Sequence, residues 1–222
     1  MEYTPNKENI AKRIAGFFKT GDLVNLGIGL PTLVGNYVPD DVEIILQSEN
    51  GFLRLGPAPD KGSEDPALIN AGGGFVTILP GGAFFDSAAS FGIIRGGHLD
   101  YTVLGVLQVD QEGNLANYKI PGKLTPGMGG AMDLTTGAKE VIAATLHFER
   151  SGESKLKRRC DLPLTAVGEV NHVVTDLGFF EIGQGVFLLK ETFKPYDVKY
   201  VVQHTDADIT VADDCLEAMD LS

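Results

Sequence analysis

The chain has 222 residues, with 18 Lys and Arg against 30 Asp and Glu, a formal net charge of −12. That length allows one large domain or two small ones with a sizeable core, and the negative charge repels phosphate backbones and argues against non-specific nucleic-acid binding. Glycine is abundant at 28 residues, yet 43% of the chain is hydrophobic, so neither a collagen-like nor a disordered polymer fits.

From Thr4 onward, Ile10, Ile14, Phe17 and Phe18 recur at helical spacing and end at Gly21, which predicts an amphipathic helix with a glycine stop. Short β-rich runs follow at 23–26, 42–47, 75–79 and 101–109, separated by glycine-rich connections, and the segment 84–95 has a helical face. Beyond Gly137, strands are expected at 139–148, 163–165, 172–175, 179–182 and 186–190, the last two joined as a hairpin through Gly183-Gln184-Gly185. Strands written as nearly continuous apolar runs, alternating with helices, predict an α/β fold. Its sheet is mostly parallel or mixed and flanked by helices, with a β-rich second layer. Neither an internal repeat nor a linker breaks the chain, so 1–222 reads as one domain.

The apolar runs are far shorter than the roughly 20 residues that span a bilayer. Cys160 and Cys215 lie far apart, without Cys-x-x-Cys spacing, and the first twenty residues lack the basic end and apolar run of a signal peptide. A reduced, cytoplasmic protein is the expectation.

Several chemistries are disfavoured by their missing motifs. Gly27-Ile28-Gly29 follows a strand and precedes Pro31, so amides at a helix start could face an anion. The dinucleotide fingerprint, however, needs a third glycine where this chain has Thr32. Gly122-Lys123-Leu124 and Gly137-Ala138-Lys139-Glu140 lack the spacing and hydroxyl of a Walker loop. His98, His147, His172 and His204 never approach metal-ligand spacing, no Gly-x-Ser-x-Gly elbow exists, and neither cysteine has a neighbouring base. No metal is expected.

Two unusual strings remain. Ser48-Glu49-Asn50-Gly51 places a carboxylate where an apolar strand ends and the chain turns, the position at which open α/β sheets bind ligands. By itself, such a glutamate reads first as a solvated turn residue. Gly127-Met128-Gly129-Gly130-Ala131-Met132-Asp133 has enough small residues for backbone amides to approach a ligand oxygen, as an oxyanion site requires, although a tight packing crossover also fits.

Together these strings resemble the small, or beta, subunit of the class I coenzyme A transferases, the family of the acetate/butyrate–acetoacetate and succinyl-CoA:3-ketoacid enzymes. The resemblance runs along the whole chain. It includes Val24-Asn25-Leu26-Gly27-Ile28-Gly29-Leu30-Pro31, Gln47-Ser48-Glu49-Asn50-Gly51, Leu79-Pro80-Gly81, Ile94-Arg95-Gly96-Gly97-His98 and Ile120-Pro121-Gly122-Lys123 ahead of the Gly127 cluster. It implies that Glu49 is a covalent nucleophile, that amides around Gly129 and Gly130 line the oxyanion site, and that Asn25, Gly27, Gly29, Asn50 and Gly127 lie toward coenzyme A. Coenzyme A would be a substrate, with no resident cofactor, and an alpha subunit would complete the site.

Two departures qualify what the resemblance implies. Arg54 stands where many relatives carry a small residue, and so could tune the acyl pocket or engage an anionic substrate. Gly72-Gly73-Gly74 replaces a lysine-containing version found in some ketoacid-type members, which favours acetate, butyrate or acetoacetate over succinyl substrates. Lys155-Leu156-Lys157-Arg158-Arg159 reads as a solvated hairpin tip or, alternatively, as a contact for coenzyme A phosphates. An acyl-CoA hydrolase on the same scaffold and a non-catalytic ligand-binding module are the competing functions.

Overall fold

The computed structural model describes residues 3–122 and 127–221. Lys123 and Leu124, which close the Ile120 motif and the Walker-like segment, lie outside them. The first amphipathic stretch forms α1 (Lys7–Ala15), capped by the Asn6 side chain, which accepts from the amides of Glu8 and Asn9. It stops at Gly16 instead of Gly21, and Phe18 enters the core from the segment beyond.

Next come β1 (Leu23–Leu26), a 3₁₀ helix (Leu30–Asn36), β2 (Ile45–Ser48), β3 (Phe52–Leu55), β4 (Ile78–Phe84) and α2 (Ser87–Arg95). They are followed by β5 (Tyr101–Gly105), β6 (Gln108–Asp110), β7 (Leu115–Ala116) and α3 (Ala131–Gly137). The remainder comprises β8 (Glu140–Ala144), β9 (Leu156–Lys157), β10 (His172–Val174), β11 (Gly178–Gly183), β12 (Val186–Phe193), α4 (Val198–Gln203) and β13 (Ile209–Met219).

Ten strands form one mixed sheet in the order β13-β12-β11-β10-β8-β5-β1-β2-β3-β4, and β7-β6-β9 make a separate small sheet. Neighbours from β10 through β8, β5 and β1 to β2 are parallel, and antiparallel hairpins extend both sides. The expected run 101–109 therefore splits after Gly105, its second half pairing in the small sheet. The run 75–79 begins as a strand only at Ile78, with Phe75 in an isolated bridge to Ile69, and 163–165 supplies no strand.

Alternation along the central strands feeds two cores, one on each face. On β8, Val141 and Ala143 pack with α2, α3 and α4, whereas Ile142 and Ala144 pack with Ile10 and Ile14 of α1. Among the described residues, no helix is long and apolar enough to cross a membrane.

Candidate active site

Because Ser48 pairs with Phe52 across β2 and β3, residues 49–51 are a hairpin turn at the carboxyl end of the parallel strands. Gly51 is obligatory there: its φ is +127°, and a Cβ would lie 2.2 Å from the Phe85 carbonyl oxygen. The turn is stitched to the 69–71 loop by its own polar side chains. Ser48 Oγ donates to Asn50 Oδ1 at 2.6 Å and accepts from the Ala71 amide, while Asn50 Nδ2 donates to the Ile69 carbonyl at 2.7 Å. Asn50 thus sits at the site with both ends of its amide committed to the protein.

Asn25, on β1, is the Cα partner of Gln47 on β2, and both side chains lie on the α2 face. Asn25 Nδ2 donates to Gln47 Oε1 at 2.7 Å and to Glu49 Oε2 at 3.2 Å, and Gln47 Nε2 donates to Ser90 Oγ on α2 at 3.0 Å. Asn25 is only 1% exposed. It touches the Glu49 carboxylate from inside the sheet. Gln47 and Ser90 carried no signal of their own in the sequence, because only strand register and helix docking bring them together.

The glycine cluster arrives from the other side. Gly129 has φ +55°, Gly127 has φ +88°, and Gly130 caps α3. A Cβ on Gly130 would sit 3.6 Å from Glu49 Cγ and 3.4 Å from the Phe91 ring, so the bare backbone of the cluster lies against the carboxylate side chain. Arg95 Nε donates to Asp133 Oδ1 at 2.6 Å and ties α2 to α3 across this contact. Gly27 is held to a bare backbone by its neighbours. A Cβ there would lie 2.9 Å from the Val103 carbonyl oxygen, so the residue serves close packing of β1 and β5. Gly29 opens the 3₁₀ helix and lines the adjoining cavity.

That cavity encloses ≈ 590 Å³. Leu26, Val38, Leu46, Phe75 and Leu79 line it, and Glu49 stands on its wall together with Gly72 and Gly74. Arg54 is not part of the lining: its guanidinium pairs with Glu43 instead. The basic run at 155–159 is likewise engaged away from the cavity. Lys155 donates to Thr145, Lys157 pairs with Asp206 and Arg158 with Asp208.

The sequence model of the coenzyme A transferase family matches residues 7–204. The chain is 55% identical to the beta chain of the acetate CoA-transferase of Haemophilus influenzae over 95% of its own length and 94% of that protein's. It is 46% identical to one polypeptide of a probable succinyl-CoA:3-ketoacid coenzyme A transferase of Bacillus subtilis, over 96% and 98%. The acyl-CoA transferase YdiF of Escherichia coli O157:H7 superposes with a TM-score of 0.76 at 20% identity, over all of this chain and 44% of that one. The present chain therefore spans less than half of that longer polypeptide. A transferase-like fold, a carboxylate turn packed on a glycine cluster, and a family model that matches most of the sequence converge: the chain belongs to the coenzyme A transferase family.

Proposed function

We propose that this chain, assembled with an alpha subunit, transfers coenzyme A between short-chain monocarboxylic acids, with Glu49 as the covalent nucleophile. The observation that carries the reading is the placement of the Glu49 carboxylate between the Asn25 amide and the Gly130 backbone, at the wall of an apolar cavity. One Glu49 oxygen attacks the thioester carbonyl of a donor acyl-CoA, and collapse of the tetrahedral adduct expels the CoA thiolate and leaves an acyl-glutamyl anhydride. The thiolate then attacks the glutamyl carbonyl, releases the donor carboxylate and forms a glutamyl-CoA thioester. An acceptor carboxylate reverses both steps and carries the coenzyme A away.

A carboxylate suits this exchange because its anhydride lies near a thioester in energy, whereas a serine ester would be a sink. Carboxylates are weak nucleophiles, so the rate must come from stabilising the oxyanion, where one donor contributes about 3 to 4 kcal/mol, and from binding energy of the remote nucleotide. Amides at Gly129 and Gly130 are the candidate donors. The scheme calls for neither metal nor organic cofactor, and coenzyme A enters as substrate. Names of beta chains among the relatives support the alpha partner, and two unpaired cysteines fit a reducing, cytoplasmic setting.

The cavity supports monocarboxylates over succinyl-type acids. Its lining among the described residues includes no Lys, Arg or His, and Arg54 is held by Glu43. A second carboxylate placed there would be desolvated without a cation to pair with. The test is a screen of acceptors against one acyl-CoA donor with the assembled enzyme. Acetate, acetoacetate or butyrate is expected to give kcat/KM at least about tenfold above succinate, a 1.4 kcal/mol difference. A preference for succinate, or release of coenzyme A without any acceptor, would overturn the assignment.

A further inference from the structure

We propose that Ser90, acting through Gln47 and Asn25, sets the orientation of the Glu49 carboxylate; the inference rests on Glu49 being the nucleophile. The argument is one of hydrogen-bond polarity. A terminal amide can present either its NH2 or its carbonyl to a neighbour, and only the NH2 attracts a carboxylate. Ser90 Oγ accepts from Gln47 Nε2 at 3.0 Å and anchors the Gln47 amide with its Oε1 toward Asn25. Asn25 Nδ2 meets that oxygen at 2.7 Å and, by the same amide face, reaches Glu49 Oε2 at 3.2 Å. Asn25 Nδ2 also reaches the Gln47 backbone carbonyl at 3.3 Å, so the Gln47 backbone and side chain together hold the Asn25 NH2 toward Glu49.

Burial makes the polarity rigid. Ser90 on α2 and Asn25 and Gln47 on the sheet beneath it are all buried, so water is poorly placed to substitute for any link. Asn25 Oδ1 is buried beside Thr102, its Cα partner on β5, while the Asn25 NH2 faces Glu49. Helix α2 serves the other half of the site as well, because Phe91, next to Ser90, packs against Gly130. Ser90, Gln47 and Asn25 are thus positioning residues, fixing which Glu49 oxygen is tethered and which is free to attack.

The test compares Ser90→Ala, Ser90→Thr and Glu49→Ala in the assembled enzyme, reading KM, kcat and the single-turnover rate of glutamyl-CoA formation by mass spectrometry. Ser90→Ala is expected to lower kcat and the adduct rate by about tenfold, the equivalent of one lost hydrogen bond, with KM for the acyl-CoA changed by less than about twofold. Ser90→Thr keeps an oxygen in place and restores both rates. Should the threonine not fold, Asn25→Asp substitutes. Asn25 from β1 and Gly130 from the start of α3 face Glu49, and neither is charged, so a new carboxylate at 25 must share a proton with Glu49. The acid limb of kcat/KM then moves to higher pH. Wild-type adduct formation in Ser90→Ala, a loss confined to KM, or an unmoved acid limb in Asn25→Asp would overturn the proposal. Turnover that survives in Glu49→Ala sinks the nucleophile reading itself, so the two failures are distinguishable.

Discussion

Gly130 and Glu49, far apart in the chain, face each other closely enough that a Cβ on the glycine would stand in van der Waals contact, 3.6 Å from the glutamate Cγ. The backbone at the start of α3 therefore approaches the carboxylate with no side chain between them. This contact joins the two strings that looked most unusual in the sequence.

A methyl group inserted at that contact should separate catalysis from stability. Gly130 has φ −83°, which any residue adopts, and its Cβ would meet the Phe91 ring at an ordinary 3.4 Å. Gly130→Ala is expected to unfold within about 1 kcal/mol of the parent, while kcat falls by roughly tenfold because the methyl group fills space beside Glu49 that the reacting acyl group must enter. Thermal melts beside steady-state kinetics check this; full activity in the folded variant would remove Gly130 from the site.

The cavity wall makes a specificity prediction. Gly72 lines the cavity at ordinary backbone angles, and a side chain there would first meet the movable Ile28. Gly72→Lys brings an ammonium group to an apolar wall and should raise the succinate-to-butyrate ratio of kcat/KM by about tenfold, since charge pairing replaces an uncompensated desolvation. An unchanged ratio would show that the acyl group does not lie along this wall.

Stability in acid should trace to His147. It is fully buried between Thr175 Oγ1 and Thr205 Oγ1, each 3.1 Å from a ring nitrogen, and burial pushes its pKa down from 6.5 to about 3. Below pH 6.5 the unfolded chain binds a proton that the folded one refuses. Its contribution is complete above 6.5 and is lost as pH falls toward 3, by up to about 1.4 kcal/mol per unit. Asp176, whose carboxyl burial pushes upward, opposes this in the same acid range. Chemical denaturation of parent and His147→Gln between pH 7 and 4 should show the shallower pH slope in the variant; equal slopes would contradict the assignment.

The sequence was most legible where local pattern and tertiary role coincide. Strand 23–26 emerges with those bounds because its apolar residues pack into the cores on both faces, and the Gly183-Gln184-Gly185 hairpin emerges because Gln184 and Gly185 take the left-handed backbone its turn requires. By contrast, β13 was missed. As an edge strand carrying Asp213, Asp214 and Glu217 it lacks strand-like apolarity, and its pairing with β12 exists only in the folded sheet. Helix α3 was hidden by its brevity, by the glycines before it, and by Thr135 and Thr136, whose hydroxyls bond back to carbonyls one turn earlier.

At the site, Glu49 and the glycine cluster were recognisable as motifs, but the Asn25 contact with Glu49 was not legible. A motif specifies residue identity without orientation, and the alternation of β1 turns Asn25 under α2 toward Gln47 and Glu49. Arg54 illustrates the same point: its charge suggested a ligand contact, yet Glu43 claims it.

The central claim is the covalent role of Glu49, and the most direct measurement is the mass of the peptide containing it. The assembled enzyme is incubated with an acyl-CoA in the absence of acceptor, quenched in acid and digested. A coenzyme A adduct on Glu49 that disappears when acceptor carboxylate is added, and never forms in Glu49→Ala, is the predicted result. Normal turnover with no adduct at any time, or an adduct on another residue, would contradict the account.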